Sequence, residues 1–258
     1  MAKEKKQEIP KEAKVKSLYK AMQILFLFSE ENDELGVTEI AEKSGLLKST
    51  VHNILSTFEA CNIVKRDSRT NKFRLGIRVL ELSNQFYHNN DIRQVMRPIL
   101  EQVANDENET VYLAVLQDTE VIYIDAAFPS SNTGGRNMTG IKAPTYCTGI
   151  GKAMLAFEPD KVTEQVIREG FQQFTANTVS DGKQLKKELE EIRKKGYAID
   201  NMEHEYGVKC VAVPITDHDG KVVAAVSVSG PSPRFDKKRI EGLADSLKEK
   251  VHQISYRL

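Results

Sequence analysis

VTEIAEKSGLLKSTVHNILSTFEACNIVKRDSRTNKFRL, residues 37–75, decides the fold of the N-terminal part of the chain. Ile40 and Ala41 form the apolar side of a short helix that ends at Gly45. The Thr38 hydroxyl is its expected cap, and Ala41 three residues on means a lone hydroxyl rather than a capping box. EKSGLLKST then turns the chain at a small residue, and a new helix opens at Lys48 or Ser49. Val51, Ile54, Leu55 and Phe58 recur at helical spacing and read as core. That helix must stop before Ile63–Val64, because two β-branched residues followed by KRDSRTNKFRL read as a strand, a polar turn and a second strand. Upstream, Leu18, Ala21, Met22, Leu25 and Phe28 fit one more amphipathic helix, with Ser17 as its expected N-cap. Helix, helix, glycine turn, helix and two-stranded wing is the order of a winged helix-turn-helix.

In that fold the N-terminal end of the last helix faces base edges, and its later apolar residues anchor it. Lys48, Ser49, Thr50, His52 and Asn53 can donate to or accept from bases and phosphates. Arg66, Arg69 and Lys72 on the wing are candidate phosphate or minor-groove contacts. Charge supports a polyanion: the whole chain is neutral, with 37 Lys+Arg against 37 Asp+Glu, yet from Lys43 to Arg78 eight basic residues face only Glu59 and Asp67. The same fold also builds protein-interaction modules, and specific binding to DNA separates the two readings. Cys61, beside Ala60 on the helix, reads as buried packing.

Residues 1–16 alternate Lys and Glu around Pro10 without an apolar period and read as a flexible arm. The winged helix spans 17–76, and a linker helix with the pattern IRVLELSNQFYHNN occupies 77–90. From 91 a second domain is expected. It opens with IRQVMRPILEQVANDEN, where Pro98 suggests a kink or a boundary between two helices. The helices of 76–108 could carry a dimer contact. Beyond them, strand candidates are 109–116, 120–128, 196–203, 209–216 and 221–230, the last two joined by the DHDG turn as a hairpin. Helical stretches at 149–157, 159–169 and 181–195 lie between, and a final helix starts at Asp236. This order predicts an α+β chain: a helical N-terminal domain with a small β wing, then an antiparallel-sheet domain of the kind that encloses a small ligand.

Composition narrows the class. Of 258 residues, 40% are apolar and 29% charged, as in ordinary globular chains. No run approaches the ~18 apolar residues of a membrane span, and the charged N-terminus has no apolar segment behind it to make a secretion signal. Three cysteines (Cys61, Cys147, Cys210) form no paired framework and no CxxC, which points to a reducing cytoplasm.

The strings TGIGKAMLA (148–156), GYAIDNMEHEYGVKCVAVPI (196–215) and AAVSVSGP (224–231) resemble the effector-binding domain of the IclR family of bacterial transcription regulators. KSLYKAMQIL (16–25) and VTEIAEKSGLLKSTVHNILSTFE (37–59) resemble that family's winged helix-turn-helix, so the likeness runs over about residues 16–256. The resemblance implies a GAF-like sensor domain over 91–258, a dimer or dimer of dimers on a partly palindromic operator of double-stranded DNA, a repressor more often than an activator, and no enzymatic activity. It also implies a small carboxylate effector held by Gly149, Ile150, Asp200, Val208, Cys210, Ser227 and Ser229. The chemistry suits an acid: free amides at a glycine-rich helix start receive anions, and serines two apart on a strand share a face. Position 150 is Ile where many members carry a smaller residue, which predicts a reshaped pocket.

Other chemistries are weaker. A phosphate loop needs glycine at Tyr146 and a hydroxyl at Ala153. Cys147, Asp200, His204 and Cys210 are zinc-type ligands without close-pair spacing, so a zinc ion in the sensor domain stands only as an alternative to no cofactor. Cys210 with His204 could nominally supply a nucleophile and base, but an enzyme would leave the DNA-reading domain without a purpose.

Overall fold

Apolar spacing and one left-handed turn build the N-terminal unit. The computed structural model describes residues 13–29, 32–88, 91–131 and 135–254, in two compact units within 1–89 and 90–258. Most of the expected arm, residues 1–12, lies outside the described residues. Helix α1 (Lys16–Leu25) starts after Val15 without a side-chain cap, so Ser17 is not its N-cap. Its buried residue is Ile24, whereas Leu18 is 60% exposed; the packed face is rotated from the one that spacing suggested.

Helix α2 (Val37–Ser44) also begins earlier than Thr38. Gly36 is the N-cap, and Glu39 Oε2 accepts the Gly36 N–H at 2.6 Å. Gly45 closes the helix at φ 68°, a conformation that costs a residue with a Cβ about 1 kcal/mol or more. Helix α3 (Lys48–Ala60) follows, then strands β1 (Val64–Arg66) and β2 (Phe73–Leu75), paired antiparallel. Leu35 adds a short third rung: its N–H and C=O both bond Phe73 at 2.9 Å. Ile24, Leu35, Ile40, Val51, Leu55, Val64 and Phe73 form the core, with Ile54, Phe58 and Phe28 packed against it. Cys61 is exposed at the C-cap of α3, not buried. Helix α4 (Ile77–His88) completes this unit. The last two residues of the expected linker, 89 and 90, lie outside the described residues.

In the second unit α5 (Asp91–Glu107) runs through Pro98 as one helix. A proline in a helix interior costs ~3 kcal/mol; burial of Met96, Leu100, Val103 and Ala104 offsets it. The elements that follow are β3 (Thr110–Gln117), β4 (Glu120–Ala127), β5 (Lys142–Pro144), α6 (Gly149–Leu155), α7 (Asp160–Glu169), α8 (Gly182–Lys195), β6 (Ala198–Asn201), β7 (Val208–Thr216), β8 (Val222–Pro231) and α9 (Lys237–His252). Residues 255–258 lie outside the described residues. Strand β6 is shorter than expected because Gly196 (φ 72°) caps α8 and Met202 (φ 60°) ends the strand.

The strands form one antiparallel sheet in the order β5-β4-β3-β8-β7-β6. Period-two alternation sorts its faces. Val111, Leu113, Val211, Val213, Val226 and Val228 pack with α5 and with Leu243, Leu247 and Val251 of α9. Ala114, Ala212 and Ala225 face the other way, toward Ile150 and Met154 of α6 and Leu185 and Leu189 of α8. Large residues fill the first face. On the second, the short side chains of Cys210, Ser227 and Ser229 leave room for a cavity.

Candidate functional site

On the N-terminal unit, Lys48, Ser49, His52 and Asn53 are exposed along α3, and Thr50 is half-buried at the edge of that face. Val51 and Leu55 on the opposite side hold the helix to the core. On the wing, Arg66 donates to Asn71 Oδ1 at 2.8 Å and lies 5.7 Å from the Phe73 ring centroid. Arg69 is exposed in the turn, whose shape is set by Asp67 Oδ1 accepting the Arg69 and Thr70 N–H groups at 2.8 and 3.0 Å. Lys72 is engaged within the fold, 3.2 Å from Glu39 Oε1, and joins the wing to α2. Two exposed cations not singled out from sequence, Lys65 and Arg74, pair in register on β1 and β2. Leu47, 75% exposed just before α3, adds an apolar tip.

The second unit holds a cavity of about 540 Å3, and Gly149, Ile150, Asp200, Val208, Cys210, Ser227 and Ser229 all line it. Strand register explains the gathering. Asp200 pairs with Cys210, Cys210 with Ser229 and Ser229 with Thr110, so one polar row crosses four strands. Ser227, paired with Tyr112, sits in a parallel row. Cys210 Sγ donates to Ser229 Oγ at 3.1 Å.

Helix α6 closes one wall. Thr148 caps it, its Oγ1 accepting the Gly151 N–H at 3.2 Å and donating to Pro144 O at 2.8 Å. A Cβ on Gly151 would lie 2.5 Å from Thr145 Cα, and one on Gly149 would lie 3.3 Å from Asp200 N. Glycine at 149 is therefore what lets the first turn, whose leading amides have no intrahelical partner, lie against β6, and glycine at 151 what lets it lie against Thr145. Ile150 is buried as well as cavity-lining.

Behind the lining, Lys152 is almost fully buried, and its Nζ donates to Glu203 Oε1 and Oε2 at 2.6 and 2.8 Å and to Glu188 Oε2 at 3.0 Å. Burial works against the ammonium, but the two carboxylates outweigh it and raise its pKa. Burial pushes the Asp200 carboxyl up to about 7, against the Glu203 N–H that its Oδ1 accepts at 2.7 Å. Burial also raises the thiol pKa values of Cys147 and Cys210 and lowers that of His204, whose ring packs 4.9 Å from that of Phe174.

Two alternatives lose their geometry here. Among the described residues no three His, Cys, Asp or Glu side chains are placed to hold a metal ion, and Cys147, Asp200, His204 and Cys210 do not converge as one ligand set. A Cys210 thiol held protonated and bonded to Ser229 is not an activated nucleophile. Tyr112 and Tyr123, an edge-to-face pair 5.4 Å apart, and Arg136 and Arg234 also line the cavity and carry no motif that marks them in the sequence. Tyr112 and Tyr123 could have been found from strand parity with the serines, the arginines from no local signal.

The sequence matches the bacterial transcriptional regulator IclR C-terminal domain over residues 84–256 and the IclR helix-turn-helix domain over residues 17–68. The chain belongs to the IclR family. The HTH-type transcriptional regulator XynR of Escherichia coli K12 is 31% identical over 91% of this chain and 94% of its own length. The transcriptional repressor IclR of the same organism is 31% identical over 90% of this chain and 85% of its own. The crystal structure of an IclR regulator from Alicyclobacillus acidocaldarius superposes with a TM-score of 0.84 at 29% identity, covering 93% of this chain and 98% of that one. Both the winged helix-turn-helix and the antiparallel-sheet domain are thus those of IclR-family regulators, which are not enzymes. No helix among the described residues is long and apolar enough to cross a membrane.

Proposed function

We propose that this IclR-family regulator is a metabolite-responsive repressor of the cytoplasm that binds a palindromic operator as a homodimer and changes its operator affinity when a small carboxylate occupies the cavity. The observation that carries the reading is the convergence of all seven expected effector residues on one cavity, beside a helix start rich in glycine. Its serine hydroxyls, with Arg136 and Arg234 in the same lining, suit an acid whose carboxylate meets the α6 amides. Lys48, Ser49, Thr50, His52 and Asn53 read bases or phosphates, with Arg66 and Arg69 on the wing gripping the backbone. Lys72 contributes less, since Glu39 already engages it.

Dimerisation has its own support. Ile77, Leu80, Leu82 and Phe86 of α4 are each at least half exposed, too much apolar surface for one short helix to leave in water. A second copy on that helix gives the pair of reading heads that a two-fold operator needs.

Selection of bound duplexes from a random library tests this reading. An inverted repeat, with half-sites separated by one helical turn or a multiple of it, is the expected product. Enrichment of no sequence would make the winged helix an adaptor for protein partners.

A further inference from the structure

The effector-cavity reading leaves a chemical problem. An anionic ligand is asked to enter a pocket whose polar row begins with a buried carboxyl, Asp200. Two carboxylates at hydrogen-bonding distance cannot both stay ionised in a buried site. A cation paired with Asp200 would remove the conflict, but the cavity's Arg234 is held by Glu109, and Asp200 Oδ1 accepts the Glu203 N–H instead. Lys152, the buried cation of α6, is held by Glu203 and Glu188.

We infer that Asp200 meets an acid effector as a neutral carboxyl and donates a hydrogen bond to the effector's carboxylate, so that binding the anion takes up one proton from solvent. This rests on the reading of the cavity as the effector site and adds the protonation state in which it works.

The surroundings single out Asp200 as the group that changes. It is faced by Lys152 of α6, Cys147 just before that helix, Cys210 of β7, Tyr123 of β4, and Glu203, His204 and Glu205 of the turn after β6, with Arg136 and Arg234 on the rest of the cavity wall. Burial pushes both thiols and the Tyr123 phenol up, so they keep their protons near neutral pH. Burial pushes His204 down, which leaves the imidazole neutral there. Burial raises the Glu203 carboxyl too, against the Lys152 ammonium and the Asn201 N–H, which favour its carboxylate. Asp200, raised to about 7, is the group poised to exchange a proton in that range.

A specificity follows. The site takes an anion together with a proton, and it disfavours a cation or a ligand that needs two charge-bearing acceptors at Asp200.

The test is calorimetric titration of the full-length protein with pyruvate, D-gluconate and 4-hydroxybenzoate, in pairs of buffers that differ in ionisation enthalpy, from about pH 6 to about pH 8.5. For an acid that binds, the expected result is most of one proton taken up at about pH 8 and almost none at about pH 6, with Kd rising about tenfold per pH unit above neutrality. Asp200→Asn, which keeps a donor and cannot titrate, is expected to bind the same acid with a flat pH profile. An acid that binds wild-type protein without proton uptake, or a slope that survives in Asp200→Asn, overturns the inference and leaves the effector cavity standing. If no acid binds at any pH, the cavity reading itself fails and the inference with it.

Discussion

Lys152 shows how much one side chain can carry. It is among the largest fully buried side chains of the described residues, and its ammonium is satisfied by Glu203 and Glu188. Breaking a buried pair by removing one partner costs ~3–5 kcal/mol, because the other charge is left uncompensated. Lys152→Met is therefore expected to lower stability of the C-terminal unit by about that amount in chemical denaturation, most of it recovered in Lys152→Met/Glu203→Gln. Asp200 acts in the opposite sense. Its folded pKa is raised, so the stability tied to its neutral form is fully present below the unfolded carboxyl pKa and is lost as pH rises through about 7. The melting temperature should thus fall from about pH 5.5 to about pH 8 more in wild type than in Asp200→Asn. Equal slopes would show that Asp200 is already ionised at the lower pH. Neither residue announces this in sequence: GKA and AID look like any helix start and strand, and the burial comes from β6 lying against α6.

At the scale of elements, the order of helices and strands was legible because apolar spacing is the same physics that buries each face. What local pattern missed were features set by distant partners. Strand β5, three residues ending in Pro144, exists because β4 offers a free edge to Lys142–Pro144. Helix α2 starts at Val37 rather than Thr38 because Glu39 reaches back to the Gly36 N–H, and α1 buries Ile24 because that is the side α2 covers. Pro98 reads as a break and is overridden by packing on the sheet. The candidate site divides in the same way. The cavity residues carried by recognisable strings were legible, whereas Tyr112, Tyr123, Arg136 and Arg234 reach it from strands and loops without a motif. For α3 the expectation is specific. Lys48→Ala should weaken DNA binding and reduce the slope of log affinity against log salt by about 1, if Lys48 grips a phosphate. Effector binding, measured by calorimetry, should be unchanged. An effect of Lys48→Ala on effector affinity in the absence of DNA would contradict the division of labour between the two units.

For the whole molecule, two units with separate cores give two jobs, and their coupling requires an assembly. Ile77→Glu/Leu80→Glu places charge on the exposed apolar side of α4 and is expected to dissociate the dimer in sedimentation velocity, with operator affinity falling about tenfold or more. A variant that remains dimeric would move the interface elsewhere. Effector control then means that the ligand prefers one arrangement of the paired chains, and coupling energies of this kind are typically ~1–3 kcal/mol. The most direct test is fluorescence anisotropy of the purified protein on a duplex from its own upstream region, with a scrambled duplex in competition and small carboxylic acids titrated in. The account predicts binding that the scramble does not displace and a shift of about 5- to 150-fold in Kd with one of the acids. Binding equal to the scramble and indifferent to every acid would contradict it.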